Sequence, residues 1–106
     1  MTDKHYVGDA NHIYRDKRVV SVGTTDTPLL GPNKKRVGVI ISCPSTNRIT
    51  IDFGIPAVLD QALTMYPSGQ PVQLFVRDWG DAIKEEIRAI SAIATQNVTI
   101  FDLFTA

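Results

Sequence analysis

The chain has little of what most catalytic and metal sites are built from. Its 106 residues include one cysteine and two histidines, and eleven basic residues balance eleven acidic residues, so the formal net charge is zero. A single cysteine excludes both an internal disulfide and a cysteine-based metal cluster. A net charge of zero removes the usual electrostatic argument for binding nucleic acid or an anionic membrane, so we expect neither as a partner.

Long apolar runs are also missing. The first residues, MTDKHYVGDANHIYRDKR, are polar and contain no apolar segment of the kind that a secretory signal needs. The sequence also has no run approaching the roughly eighteen apolar residues of a membrane-spanning helix. We therefore expect a protein that is made and kept in a reducing, soluble setting.

The motifs that carry enzyme chemistry are incomplete. In the stretch IISCPSTNRITIDF, four residues separate Cys43 from Arg48, one fewer than a phosphatase-type loop needs to wrap a phosphate. His5 and His12 both lie in the polar N-terminal segment, far in sequence from the acidic residues of 78–86, so no acid–base pair or triad is indicated. We predict no catalytic residue, no metal site and no cofactor, and a protein that is not an enzyme.

The distribution of apolar residues predicts an all-β fold. Residues 1–16 show neither a strand period nor a helix period, so we predict an extended N-terminal arm there and a single β-domain over 17–106. Alternating or β-branched runs indicate strands at 18–24, 36–43, 49–53, 63–66, 72–76 and 97–104. The segment TPLLGPNKK, with two prolines and a glycine, indicates a loop. Six to seven short strands predict a small antiparallel β-sandwich or barrel.

The clearest alternation flanks a proline-containing turn. Val37, Val39 and Ile41 alternate with Arg36, Gly38 and Ser42, and Ile40 is the one apolar interruption. A second alternating run, 49–53, follows Pro44-Ser45-Thr46-Asn47. Two such runs around a four-residue turn predict a β-hairpin, with Cys43 pointing into the core and Arg48 facing solvent.

The order and spacing of these pieces resemble a known family. The stretches RVGVIISCPSTNRITIDFG, ALTMYPSGQPVQL and IRAISAIATQNVTIFD follow the outline of small structural proteins of tailed-phage virions, of the decoration or cement type. The resemblance covers about residues 17–103. It implies a β-sandwich or β-barrel subunit that stabilises contacts between major capsid subunits, or a tail or head–tail component of the same virion.

The segment 78–96 fits two different structures. Ile83, Ile87, Ile90 and Ala94 recur at helical spacing, and Asp78 or Asp81 is a suitable N-cap, so the pattern alone favours a helix. The resemblance implies a strand instead. We predict a strand over 86–92, and a helical turn at 79–84 remains compatible with it.

The resemblance implies a location in the virion after synthesis in the host cytoplasm. Its partners would be the major capsid protein and further copies of the chain, as a homodimer or homotrimer. The arm and the last strand, which is apolar on both faces, are the candidate contact segments. The candidate capsid or oligomer interface residues are Tyr6, Ile13, Tyr14, Arg15, Arg18, Phe101, Leu103 and Phe104.

A protein of another class also fits part of the pattern. Tyr66 and Trp79 both lie beside turns, and exposed aromatic rings near the loops of a sandwich can stack on sugars. The alternative hypothesis is therefore a carbohydrate-binding β-sandwich module that uses these two side chains.

Overall fold

The computed structural model describes residues 12–42, 47–67, 71–93 and 95–106. In this part of the chain, eight strands and one helical segment follow one another. They are β1 (Tyr14–Val22), β2 (Thr27–Leu30), β3 (Arg36–Ser42), β4 (Ile49–Phe53), β5 (Leu63–Met65), β6 (Val72–Phe75), α1 (Val76–Trp79) with a 3-10 helix (Gly80–Lys84), β7 (Ile87–Ser91) and β8 (Gln96–Phe104).

The strands form two antiparallel sheets of four strands each. The first sheet has the order β1-β8-β3-β6, and the second has the order β2-β7-β4-β5. The last strand, β8, is therefore central in the first sheet, where β1 pairs with all nine of its residues. The predicted antiparallel β-sandwich is confirmed, with eight strands in the described residues instead of six to seven.

The two sheets pack through alternating apolar side chains. Burial of every second residue gives each antiparallel strand one core face and one outer face. The first sheet contributes Val22, Val39, Ile41, Leu74, Val98 and Ile100 to the core, and the second contributes Leu29, Leu30, Ile49, Ile51, Met65, Ile87 and Ala89. The 3-10 helix adds Ile83, whose side chain is fully buried.

The predicted hairpin between β3 and β4 is wrong. β3 pairs with β8 and β6, whereas β4 pairs with β7 and β5, so the connection passes from one sheet to the other. The alternation correctly predicted the buried side chains Val39, Ile41, Ile49 and Ile51. Alternation identifies which face of a strand is buried. It does not identify the neighbouring strand, because the buried face is the same for any pairing partner. Cys43 and the rest of 43–46 lie outside the described residues.

Two further boundaries differ from the sequence prediction. The segment predicted as a loop begins with β2, which pairs with β7 through an irregular register between Pro28 and Leu30. β2 lies at the edge of its sheet, where a proline without an N–H group is tolerated. At the other boundary, β1 begins at Tyr14, inside the segment predicted as the arm, and residues 1–11 lie outside the described residues.

The ambiguous segment contains both helical turns and a strand. α1 and the 3-10 helix occupy 76–84, and β7 occupies Ile87–Ser91, which confirms the strand predicted for 86–92. In β7 alternate residues are buried, as a strand in the second sheet requires. The helical spacing of Ile83, Ile87 and Ile90 therefore comes from a short helix followed by a strand.

A bulge at the start of β3 reverses the direction of one charged side chain. Arg36 lies opposite Phe104, but Gly38 lies opposite the adjacent Leu103, so Val37 is an extra residue in β3. The alternation placed Arg36 on the opposite face from the core. Instead the bulge turns it inward, where it is 1 % exposed.

The buried Arg36 guanidinium joins four parts of the chain. Its Nε donates to Asp102 Oδ1 at 2.8 Å, and its Nη1 donates to the carbonyl oxygens of Ile83 at 2.8 Å and Glu85 at 3.0 Å. Its Nη2 donates to the carbonyl oxygen of Gly31 at 2.7 Å. A buried charge needs this degree of pairing to be tolerated. These bonds attach the helical segment and the loop after β2 to the first sheet.

Candidate interaction surface

The outer face of the second sheet is covered by the loop 54–62. Thr50 of β4 points away from the core, yet it is fully buried because this loop lies over it. The backbone N–H of Asp60 donates to Thr50 Oγ1 at 2.9 Å, and the hydroxyls of Thr50 and Thr64 are 2.9 Å apart. Asp60 has a positive φ of 64°, which turns the loop back toward the sheet. The second sheet is thus covered by its own chain.

Two ion pairs hold this covering loop in place. At one end, Arg48 forms a fork with Asp60, with Nε–Oδ1 at 2.8 Å and Nη2–Oδ2 at 2.9 Å. These hydrogen bonds lower the pKa of Asp60 below its usual range and raise that of Arg48. Arg48, predicted to face solvent, is half-buried and fixes the loop.

At the other end, Asp26 connects the covering loop to β7. Its Oδ1 accepts the backbone N–H of Ala57 at 2.7 Å, and its Oδ2 accepts Arg88 Nε at 2.6 Å. Arg88 also bonds to Glu86 at 2.8 Å. The hydrogen bond from Arg88 is the main reason why the pKa of Asp26 is lowered, against the opposing effect of burial. Asp26 and Glu86 in turn raise the pKa of Arg88.

The outer face of the first sheet, in contrast, has no described segment lying over it. One row of outward residues crosses the four strands in the order Lys17 of β1, Phe101 of β8, Ile40 of β3 and Gln73 of β6. In the next row, Arg15 lies beside Leu103, followed by Gly38 and Phe75. We call this surface the open face: the outward side chains of β1, β8, β3 and β6 together with Ile13, Val37 and Arg77.

The open face contains an apolar groove. It has a volume of about 470 Å³ and is lined by Ile13, Val37, Phe75, Val76, Arg77 and Leu103. Ile13 is 47 % exposed here, and Val19, farther along β1, is 61 % exposed. A contiguous exposed apolar patch on a soluble protein is typical of an interaction site.

A glycine and an arginine hold the Phe75 ring on the open face. A side chain at Gly38 would bring Cβ within 2.6 Å of Phe75 Cδ1, so the ring lies directly on the glycine backbone. The Arg77 guanidinium lies 5.3 Å from the centre of the same ring, within cation–π range. The ring therefore forms a fixed wall of the groove with a positive charge above it.

The charge of the open face has one sign. Arg15 and Lys17 project outward from β1, and Arg77 projects from α1. The outward positions of the four strands contain no aspartate or glutamate among the described residues. Arg77 has one exposed acidic neighbour, Asp78, at 3.6 Å. The apolar groove is thus bordered by cations.

The predicted interface residues divide between two faces of the first sheet. Ile13, Arg15, Phe101 and Leu103 lie together on the open face. Tyr14, Arg18 and Phe104 lie on the opposite face, where the rings of Tyr14 and Phe104 stack with centroids 5.8 Å apart. Tyr6 lies outside the described residues. Contact of these side chains with a capsid protein stays a prediction.

Sequence reasoning missed several residues of the open face, although two of them left a signal. Ile40 interrupts the polar positions of its run, and Phe75 occupies the polar phase of Val72, Leu74 and Val76. An apolar residue at an outward position indicates a second apolar face. Val37 and Arg77 left no such signal, because their positions depend on the bulge in β3 and on the turn that begins α1.

The two aromatic residues of the carbohydrate-binding hypothesis lie near opposite ends of β4. Tyr66 follows Met65, which pairs with Ile49 at the start of β4. Trp79 packs against Phe53 at the end of β4, with ring centroids 6.0 Å apart. Four residues of strand separate these ends by about 13 Å. The role of these two rings in sugar stacking stays a prediction.

Two further features were sought among the described residues: a cluster of metal-ligating side chains and a membrane-spanning helix. In that part of the chain no group of three or more histidine, cysteine, aspartate or glutamate side chains is placed to hold a metal ion. No helix described here is long and apolar enough to cross a membrane.

The fold and the surface define an all-β class of protein: an antiparallel sandwich in which one outer face is covered by its own loop and the other is open, apolar and bordered by cations. No family model, curated protein or solved structure matches the chain.

Proposed function

We propose that the protein is a non-enzymatic assembly subunit of a tailed-phage virion that binds its neighbours through the open face. In the most specific form of this proposal it is a capsid decoration or cement protein, which stabilises contacts between major capsid subunits. The virion role comes from the sequence resemblance described above. The binding role comes from the asymmetry between the two outer faces.

The observation that carries the proposal is this asymmetry. The loop 54–62 covers the outer face of the second sheet and is held there by hydrogen bonds of Asp26, Asp60 and Thr50. The first sheet has no corresponding covering loop among the described residues. Over the first sheet, the described residues leave Phe75, Leu103 and their apolar neighbours accessible in a groove. An apolar face of this kind on a small sandwich is stabilised when another protein covers it.

The border of the groove indicates what kind of surface would cover it. Arg15, Lys17 and Arg77 favour a partner surface with acidic side chains around an apolar centre, because opposed charges steer encounter and select the partner. The apolar centre would supply most of the affinity, through a few anchoring side chains that enter the groove. Neither step requires a catalytic group.

A tail or head–tail component would use the same surface. The open face supports assembly with another protein and does not distinguish a shell from a tail. Binding to isolated shells and to isolated tails separates these two locations.

The first test is co-sedimentation with shells assembled from the major capsid protein encoded in the same genome. The proposal predicts that the full-length protein pellets with the shells at a fixed stoichiometry and stays in the supernatant without them. A variant that lacks residues 1–11 measures the contribution of the predicted arm and leaves β1 intact, because β1 begins at Tyr14. Absence of binding to both shells and tails contradicts the proposal.

A further inference from the structure

We infer that the free edge of β1 pairs antiparallel with β1 of a second copy of this chain, in the register that places Val19 opposite Val19. The inference names one partner of the proposed assembly subunit, and in that sense it rests on the proposed function. Its evidence is separate, because it comes from the sheet edge and not from the open face.

The first observation is an edge that is long and exposed. β1 has nine residues and pairs with β8 over its whole length. No strand in the described part of the chain pairs with its other side, and residues 15–19 are all exposed. Such an edge presents unpaired backbone N–H and C=O groups that can pair with another strand. Val19, 61 % exposed, ends this stretch and lies one residue from the centre of β1.

The second observation is that the charges of β1 select one register. In a symmetric antiparallel pair, the residue on the twofold axis lies opposite its own copy. Centring the pair on Arg15, Asp16, Lys17 or Arg18 would oppose two identical charges, which is destabilising. Centring it on Val19 opposes two apolar side chains instead.

The Val19-centred register also gives each charged residue of the paired stretch an uncharged neighbour. Arg18 lies opposite Val20, Lys17 opposite Ser21, and Asp16 opposite Val22. The pairing covers residues 16–22 of each copy, and registers centred farther along the strand overlap over fewer residues. It is therefore the longest symmetric register of β1 without opposed like charges.

This pairing has a consequence for the open face. A twofold axis perpendicular to the sheet keeps the outward side chains of both copies on the same side. The two first sheets then form one continuous sheet of eight strands, with two apolar grooves that face in one direction. A dimer of this kind can contact two neighbouring partner subunits at once, which increases its apparent affinity.

The oligomeric state is the direct test, measured by sedimentation equilibrium of the full chain over a wide range of protein concentrations. The wild type is expected to reach twice its mass of 11.7 kDa as the concentration rises. Val19→Lys opposes two lysines at the twofold axis and should shift the protein to monomer. Val58→Lys is the matched control, because it makes the same change at an exposed valine in the loop 54–62 and should leave the dimer intact.

Cysteine cross-linking tests the register itself. With the native Cys43 replaced by serine, Val19→Cys should form an intermolecular disulfide under mild oxidation, because residue 19 lies opposite its copy. Lys17→Cys should not, because Lys17 lies opposite Ser21 and is offset from its copy by four residues, about 13 Å. A disulfide needs Cα atoms about 4.4–6.8 Å apart.

Three results would overturn the inference. They are a wild type that stays monomeric at every concentration, a dimer that persists in Val19→Lys, and a cross-link that forms at residue 17 more readily than at residue 19. A monomer that still binds shells through the open face would remove this inference and keep the proposed function. A dimer that binds no virion component would do the reverse.

Discussion

The guanidinium of Arg36 and the carboxylate of Asp102 form a buried ion pair across β3 and β8. Nε–Oδ1 measures 2.8 Å and Nη2–Oδ2 measures 3.3 Å, and the two side chains are 1 % and 12 % exposed. The pair exists because the bulge at the start of β3 turns Arg36 inward. It lies beneath the end of the first sheet where Leu103 and Phe75 form the apolar groove.

Replacing Arg36 should destabilise the fold strongly. Arg36→Met leaves the Asp102 carboxylate buried without its partner and removes the donor from three backbone carbonyls, so we expect a loss of about 3–5 kcal/mol in the free energy of unfolding. Urea unfolding measures this loss. Arg48→Met breaks the fork with Asp60, which is more exposed than the Arg36–Asp102 pair, and should cost much less. If the two variants lose equal stability, Arg36 does not have the structural role described.

Adding a methyl group at Gly38 should disturb the wall of the groove. The new Cβ would lie 2.6 Å from Phe75 Cδ1 and 3.3 Å from the carbonyl oxygen of Leu74, so the ring must move. We expect Gly38→Ala to cost about 1–3 kcal/mol in urea unfolding. In a Phe75→Ala background the same change should cost much less, because the ring is absent. An equal cost in both backgrounds would contradict this packing.

The Asp26–Arg88 pair should make stability depend on acid pH. The pKa of Asp26 in the folded protein lies below the ordinary value of 3.8, mainly because Arg88 bonds to its carboxylate. The stabilisation is therefore complete above that value and is lost as the pH falls through the lower folded pKa. We expect the melting temperature of the wild type to fall more steeply below about pH 4 than that of Asp26→Asn.

The control for this pH dependence is Asp60→Asn. The pKa of Asp60 is also lowered, by Arg48, but this pair is more exposed and solvent screens it. Its replacement should reduce the acid dependence less than Asp26→Asn does. Parallel acid profiles for the wild type and Asp26→Asn would show that the pair does not contribute.

Local patterns predicted the class of fold and most strand positions. Alternation in the runs around Val39, Ile51 and Leu74 identified strands and their core faces, because burial on one face imposes a two-residue period. The pairing partners could not be predicted in this way. β3 pairs with β8 about sixty residues later, and nothing in the sequence between β3 and β4 specifies that choice.

The candidate surface was also predicted only in part, because local patterns identify apolar faces and do not identify bulges. Phe101 and Leu103 were identified because the last strand is apolar on both faces, and such a strand needs cover on both sides. The prediction grouped Tyr14 and Phe104 with them. Adjacent residues of a strand point to opposite faces of the sheet, so these two lie on the opposite face from Leu103. The alternation placed Arg36 on the wrong face, because a bulge shifts the alternation by one residue and leaves no mark in the hydrophobic pattern.

The most direct test of the central claim is the affinity of charge-reversed variants for capsid shells, measured by co-sedimentation. Arg15→Glu/Lys17→Glu reverses two exposed cations of the open face, and Lys34→Glu/Lys35→Glu makes the same net change at exposed lysines of the loop before β3. In the register proposed for β1, neither Arg15 nor Lys17 lies opposite a charged residue, so the first variant should keep the dimer. We predict that it binds shells roughly tenfold more weakly, whereas the second binds like the wild type. Equal binding by both variants, or a loss confined to the second, would contradict assembly through the open face.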